Sequence, residues 1–280
     1  VRDLKRACVI GWPVEHSRSP AIHRYWLKLY GLAGTYEKEA VRPEDLAGFL
    51  RSLGTRGYAG AHVTLPHKEA ALAMATRADQ AAAAIGAANT LWLDAEGRLN
   101  ASNTDAYGFI AHLVEEAPDW NKGRRPVIVL GAGGAARALV HGLIEAGASR
   151  ILLANRSRER AEALARAFGP AVEVIAWEAR NEALAGCGLL VNATSLGMTG
   201  KPPLVLDLSL LPADAIVADI VYSPLETPLL AAARARGNRT VDGLGMLLHQ
   251  AVPGFERWFG VRPEVTPALR AHVAATLTGQ

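Results

Sequence analysis

Val127-Ile128-Val129-Leu130-Gly131-Ala132-Gly133-Gly134-Ala135-Ala136 is the most specific pattern in the chain. Four apolar residues rich in β-branched side chains read as a buried strand. The G-x-G-x-x-A run that follows opens an apolar stretch with helical spacing. In such a loop Gly131 permits the tight turn, Gly133 lets a pyrophosphate approach the backbone, and Ala136 allows the helix to pack closely. The helix N-terminus then presents unpaired N–H groups and a positive dipole to phosphate. A dinucleotide is therefore expected on Gly131, Ala132, Gly133, Gly134 and Ala135.

The next strand, Ile151 to Ala154, selects the dinucleotide. NAD-binding units usually carry Asp or Glu at this strand's end, where it binds the ribose 2′-hydroxyl. Here the chain reads Asn155-Arg156-Ser157-Arg158-Glu159-Arg160. Arg156 and Arg160 can pair with a 2′-phosphate, whereas an acidic group at the strand tip would repel one. Each charge-assisted hydrogen bond contributes about 1.5–3 kcal/mol, so NADP is expected over NAD. Arg158 reads as a solvated helix position.

Outward from this unit, strands and helices alternate along most of the chain, which predicts an α/β protein with mainly parallel sheets. Upstream, strands are expected at Ala7 to Gly11, Tyr36 to Val41 and Ala61 to Leu65. Ser19 is expected to cap a helix with Pro20 at its first position, and a second helix is expected from Pro43 to Leu53. A ribbon of Leu91 to Leu93 and Gly97 to Leu99 follows, then a helix opened by Asp105. The proline-bounded stretch Pro118 to Pro126 suits a crossing between domains. Downstream, strands are expected at Val172 to Ile175, Leu189 to Asn192 and Ile216 to Ile220. The last helices, Gly243 to Phe259 and Val265 to Leu277, are expected to return to the first domain. The predicted division is residues 1–107 with about 243–280 as a substrate domain, and 108–242 as a Rossmann-like NADP domain.

The chain has 280 residues, half of them apolar, a fifth charged, and a formal net charge of +3. That excess is too small and scattered for a nucleic-acid partner but suits anionic small molecules. Cys8 and Cys187 make no disulfide framework. Val1 to Arg6 superficially resembles a secretory start, but the apolar run behind it is cut by Gly11, Trp12 and Pro13. No run approaches the roughly 20 apolar residues of a membrane span. The cytoplasm is the expected location. Oligomeric state is not set by the sequence, and a homodimer stays open.

Polar clusters in the first domain call for a ligand. Gly11-Trp12-Pro13-Val14-Glu15-His16-Ser17-Arg18-Ser19-Pro20 sets Ser17 and Ser19 about a helix start, where hydroxyls and N–H groups could hold a carboxylate. Val63-Thr64-Leu65-Pro66-His67-Lys68 puts Lys68 in the first turn of a helix, where the dipole disfavours a cation. Asn103-Thr104-Asp105 lies close downstream of Asn89-Thr90.

Together with Gly86-Ala87-Ala88-Asn89-Thr90, Asn192-Ala193-Thr194-Ser195 and Asp242-Gly243-Leu244-Gly245-Met246-Leu247-Leu248-His249-Gln250, these segments resemble the shikimate dehydrogenase family, in that family's order. The resemblance implies reversible NADPH-dependent reduction of 3-dehydroshikimate to shikimate, within aromatic amino-acid biosynthesis. It implies that Ser17 and Ser19, with Tyr222, bind the substrate carboxylate, and that Thr64, Asn89 and Gln250 bind ring hydroxyls. Lys68 and Asp105 would serve the reacting oxygen, Asn155, Arg156, Ser157 and Arg160 the 2′-phosphate, and Thr194, Ile220 and Gly243 the nicotinamide side. No metal is expected, because the histidines are dispersed in sequence. One departure stands out: His62 replaces the Asn that usually precedes V-T. The competing readings are a quinate/shikimate dehydrogenase with looser substrate or NAD use, and a catalytically silent relative that binds the same ligands.

Overall fold

The protein was analysed as a computed structural model that describes residues 4–277. The outermost residues of the secretory-like start and of the expected substrate domain lie outside that range. The described chain divides into two compact units, one running through Thr104 and resuming at Gln250, the other Asp105–His249.

The first unit begins with β1 (Lys5–Gly11), α1 (Ser19–Leu29), β2 (Gly34–Ala40), α2 (Leu46–Arg51), β3 (Tyr58–Val63), α3 (Lys68–Met74), β4 (Arg77–Ala78), α4 (Gln80–Ile85), β5 (Thr90–Leu93) and β6 (Leu99–Ser102). Its strands form one sheet in the order β2-β1-β3-β5-β6-β4. β2, β1 and β3 run parallel, while β5 is antiparallel to both β3 and β6. Cys8, Ile10, Phe49, Leu53, Ala61 and Leu91 are buried together on one side of this sheet. The Asp79 carboxylate caps α4 by accepting the Ala82 N–H at 2.8 Å, and Gly86 ends the helix at φ +73°, the left-handed conformation that glycine adopts without a Cβ penalty.

The second unit contains α5 (Asp105–Glu116), β7 (Val127–Leu130), α6 (Gly134–Glu145), β8 (Ile151–Ala154), α7 (Arg158–Phe168), β9 (Val172–Ile175), β10 (Leu189–Asn192), β11 (Ile216–Asp219), α8 (Pro228–Ala235), β12 (Arg239–Val241) and α9 (Gly243–His249). Its six strands are all parallel, in the order β12-β11-β10-β7-β8-β9. This is the doubly wound Rossmann order, whose ligand crevice opens where the winding reverses, between β7 and β10. Every residue of β7, β8, β10 and β11 is buried, as expected for strands covered on both faces. α10 (Ala251–Phe259) and α11 (Pro267–Ala275) belong to the first unit. Trp258 of α10 donates from Nε1 to the Leu91 carbonyl at 3.0 Å. Its ring is admitted by Gly60, where a Cβ would stand 2.2 Å from that indole nitrogen.

Four local expectations change. The helix expected from Gly243 to Phe259 is broken at Gln250, so Gly243–His249 stays with the second unit. Pro253 explains the break: it has no N–H for the His249 carbonyl, and its ring crowds that oxygen. Asp105 and the two residues after it likewise fall in the second unit. The Pro43 to Leu53 helix is shortened to a 3-10 turn plus α2. The second arm of the ribbon starts later, at Leu99, because Asp94 Oδ1 accepts the N–H groups of Glu96 and Arg98 and so holds a longer turn. β4, α4, α8 and β12 were not anticipated, although Asp79 and Thr227-Pro228 were legible start signals for the two helices.

Candidate functional site

In the second unit the Gly131 to Ala135 loop leaves β7 at the switch point. Gly131 stands at φ +110°, and a Cβ there would meet the Ala193 carbonyl oxygen at 2.9 Å and Thr194 Cγ2 at 3.1 Å. Its absence of a side chain is thus required by the backbone and by the chain following β10. Gly133 and Gly134 differ: a Cβ on either would meet nothing within 4 Å, and both are exposed. Packing does not explain these two glycines, whereas a ligand lying on the N-terminus of α6 does. The loop is steadied from the next strand, since Asn155 Oδ1 accepts the Ala132 N–H at 3.2 Å and Asn155 Nδ2 donates to the Ser157 carbonyl at 2.8 Å.

Beyond β8, Arg158 pairs with Glu162 at 2.8 Å along α7, the solvated role expected of it. Arg156 and Arg160 are exposed and have no ion-pair partner among the described residues. No acidic side chain occupies the tip of β8, so the residues present fit a 2′-phosphate rather than a bare ribose.

Thr194 is held by a buried network. Asn192 Oδ1 accepts both the Thr194 N–H at 3.1 Å and its hydroxyl at 2.7 Å, while Asn192 Nδ2 donates to Asp219 Oδ1 at 3.0 Å. Asp219 also accepts from the Val221 N–H at 3.0 Å and the Thr227 hydroxyl at 2.7 Å. Burial of this carboxylate outweighs those bonds and pushes its pKa up to about 6. Ile220 follows directly and is half-buried, as is Tyr222. Gly243 lies against that turn, where a Cβ would sit 2.2 Å from the Ile220 carbonyl oxygen.

In the first unit the sites follow the carboxyl ends of β1 and β3, the usual ligand edge of parallel strands. The two segments are tied together: Thr64 N–H donates to the Ile10 carbonyl at 2.9 Å and Trp12 N–H to the Leu65 carbonyl at 3.0 Å. Gly11 makes this approach possible, because a Cβ would fall 2.4 Å from Thr64 Cγ2. Ser19 proves not to be the helix cap. It is the first residue of α1, Arg18 holds the cap position, and the Ser17 hydroxyl accepts the Ser19 N–H at 3.3 Å. The Ser17 hydroxyl, not that of Ser19, therefore bonds the backbone at the start of α1. Lys68 opens α3, is half-buried, and its carbonyl accepts the Ala88 N–H at 2.9 Å. Asp105 lies in the first turn of α5, half-buried.

Asn89 is the hub of a buried amide–hydroxyl network. Its Oδ1 accepts from the Thr90 hydroxyl at 2.9 Å and from the Thr104 N–H at 2.8 Å. Its Nδ2 donates to Gln250 Oε1 at 3.4 Å, and the Thr104 hydroxyl donates to the Gln250 carbonyl at 2.8 Å. These bonds bring together Asn89 and Gln250, 161 residues apart in sequence. His62 is buried, with Nδ1 hydrogen-bonded to the Tyr36 hydroxyl at 2.7 Å and its ring edge-on to Trp258 at 4.7 Å. The Ser19 hydroxyl also bonds Tyr36.

One group escaped the sequence reading altogether. His112 and Glu115 on α5 meet His249 at the end of α9, and one ligand atom from each lies within 4.8 Å of the others. The dispersal of histidines in sequence concealed this. The legible half of the signal was His-x-x-Glu at helical i, i+3 spacing, which places both side chains on one face.

The sequence matches the family models described as shikimate dehydrogenase substrate binding domain over residues 9–91, shikimate / quinate 5-dehydrogenase over 113–199, and shikimate 5'-dehydrogenase C-terminal domain over 243–271. A protein of Nitrobacter hamburgensis named shikimate dehydrogenase (NADP(+)) is 60% identical over 273 residues, covering 98% of this chain and 95% of that protein. The crystal structure of Thermus thermophilus shikimate 5-dehydrogenase in complex with NADP(H) and shikimate is 38% identical with a TM-score of 0.83, covering 98% of this chain and 99% of that one. Quinate dehydrogenase from Corynebacterium glutamicum in complex with NAD is 32% identical with a TM-score of 0.89, covering 97% and 99%.

Proposed function

This chain belongs to the shikimate dehydrogenase family, and from that membership we propose how its residues divide the work of the reaction. The protein is an NADP-dependent oxidoreductase acting on a CH–OH group, and it interconverts 3-dehydroshikimate and shikimate in aromatic amino-acid biosynthesis. Bound NADPH supplies the hydride for the carbonyl carbon. Lys68 donates the proton to the oxygen as the negative charge develops there, and in the reverse direction neutral Lys68 accepts the alcohol proton. Asp105 serves the same reacting oxygen.

Ser17, Ser19 and Tyr222 bind the ring carboxylate. The Ser19 N–H to Ser17 Oγ bond supports Ser17, because it sets that hydroxyl at the start of α1, where the helix dipole favours an anion. Thr64, Asn89 and Gln250 bind ring hydroxyls. Asn89 and Gln250 are buried and mutually bonded, so their positions are fixed before the substrate arrives.

On the cofactor side, Gly131 to Ala135 take the pyrophosphate, Asn155, Arg156, Ser157 and Arg160 the 2′-phosphate, and Thr194, Ile220 and Gly243 the nicotinamide half. The observation that carries this assignment is the pairing of side-chain-free space over Gly133 and Gly134 with two arginines that have no ion-pair partner among the described residues. We also place the enzyme in the cytoplasm. Cys8 and Cys187 are free and buried, and burial pushes the Cys187 thiol up to about 12, as suits thiols in a reducing compartment.

The test is a nicotinamide absorbance assay crossing shikimate and quinate with NADP and NAD, on wild type and Arg156→Ala. The substitution should raise KM for NADP by about 10–100-fold, the loss of one charge-assisted bond of about 1.5–3 kcal/mol, with NAD kinetics unchanged. Equal loss with both cofactors would remove Arg156 from the 2′-phosphate site. Quinate turnover matching that of shikimate would move the chain to the broader dehydrogenases.

A further inference from the structure

We infer that His112, Glu115 and His249 form a site for a transition-metal dication of the zinc class, separate from the redox reaction and independent of its assignment. Glu115 Oε2 lies 2.8 Å from His249 Nε2 and 3.6 Å from His112 Nδ1. Tetrahedral zinc with bonds of about 2.0–2.2 Å sets its ligand atoms about 3.3–3.5 Å apart. The two observed separations bracket that value, so side-chain adjustments of about an ångström would close the site.

The arrangement is built rather than casual. His112 is buried, and its ring rests on the backbone of α9, where a Cβ on Gly245 would come within 2.2 Å of three ring atoms. Only a residue without a side chain at 245 lets the imidazole reach this place. Asp242 Oδ1 lies 3.8 Å from the other ring nitrogen, His112 Nε2. It is held there by the N–H groups of Leu244 and Gly245 at 2.9 and 3.2 Å. A carboxylate behind a ligating histidine fixes ring orientation and raises its basicity. The 3.8 Å gap would shorten as the ring turned toward a metal.

The donor chemistry selects the ion. Two imidazoles and one carboxylate suit zinc, nickel or copper, whereas calcium and magnesium require shells dominated by oxygen. Glu115 and Asp242 together offset the charge of a dication. Helical spacing on α5 sets His112 and Glu115 on one face, and the Glu115–His249 pair brings the third side chain to the same oxygen. Glu115 is on the exposed side, leaving the fourth coordination position open to water.

The experiment is a titration of metal-stripped full-length protein with Zn²⁺ against a chromophoric chelator, repeated with Co²⁺ to read the visible absorption of a tetrahedral site. Wild type should bind one tight equivalent. Glu115→Gln and His249→Asn should each weaken it by at least ~10-fold, since even partners outside the coordination sphere shift metal affinity by about 10–100-fold. Glu115 is exposed, so Glu115→Gln should keep the wild-type Tm, and it decides the matter alone if His249→Asn fails to fold. A wild type that binds less than one equivalent, or variants with undiminished affinity, would leave an ion-pair cluster only and overturn the proposal.

Discussion

The cofactor loop of the second unit and the substrate loops of the first solve different problems with different parts of the residue. Around Gly131 to Ala135 the work is done by backbone: a positive-φ turn, two glycines under open space, and a helix N-terminus. Such requirements are local, so one decapeptide states them in full. Around Ser17, Thr64, Lys68, Asn89 and Gln250 the proposed work falls to side chains drawn from separate segments. Asn89 and Gln250 meet only because α10 returns to the first unit. A constellation of that kind has no contiguous signature.

That difference governed what could be read. Alternating apolar runs and helix starts were enough for the α/β class and for most strands, because burial on both faces demands uninterrupted apolar residues. The proposed substrate residues rest on resemblance, since nothing about an isolated Asn89 or Gln250 distinguishes a ligand contact from a core amide. The loss of Ser19 as helix cap and the break at Gln250 turn on a single hydrogen bond and on the ring of Pro253, both below the resolution of periodicity. The His112–Glu115–His249 group required the packing of α5 against α9, which no spacing rule supplies.

The sharpest way to break the contrast is to remove the side chain on which the first unit is proposed to depend most. Lys68→Ala should lower kcat by roughly 10²–10⁴-fold, a loss of about 3–5 kcal/mol, with a smaller change in KM, because the proton donor acts mainly in the transition state. NADP binding, measured by fluorescence or calorimetry, should stay at the wild-type level. A near wild-type kcat would take Lys68 out of the chemistry and leave the substrate loops as a binding surface.

The two units also differ in the charge of the networks behind their sites. The Asn89 network is neutral, whereas the Asn192–Asp219–Thr227 network is built on a carboxylate whose pKa burial raises from 3.8 to about 6. In that interval the folded state holds a proton that the unfolded state releases. Stability from this group is therefore complete below 3.8 and is lost as the pH rises to about 6. The difference amounts to about 3 kcal/mol. Asp219→Asn removes the titration, so its stability relative to wild type should climb through this window and then level off. Urea unfolding of both proteins across the window measures it, and parallel curves would show that Asp219 titrates normally.

The smallest effect is expected at His62, where two outcomes separate cleanly. Were the imidazole a substrate contact, its ionisation would appear in the pH dependence of KM. The structure instead turns Nδ1 to the buried Tyr36 hydroxyl and sets the ring against Trp258. A shorter Asn would abandon that bond and leave the phenol under-satisfied, at a cost of about 1–3 kcal/mol. His62→Asn should thus lower the unfolding midpoint while its KM-versus-pH curve for shikimate keeps the wild-type shape. Tyr36 also bonds Ser19, so a small shift of KM that is uniform with pH is compatible with the packing role. A change in the shape of that curve is not: it would mean that the imidazole ionises in contact with the substrate carboxylate, and that side-chain identity at this one position sets the working pH of the first unit.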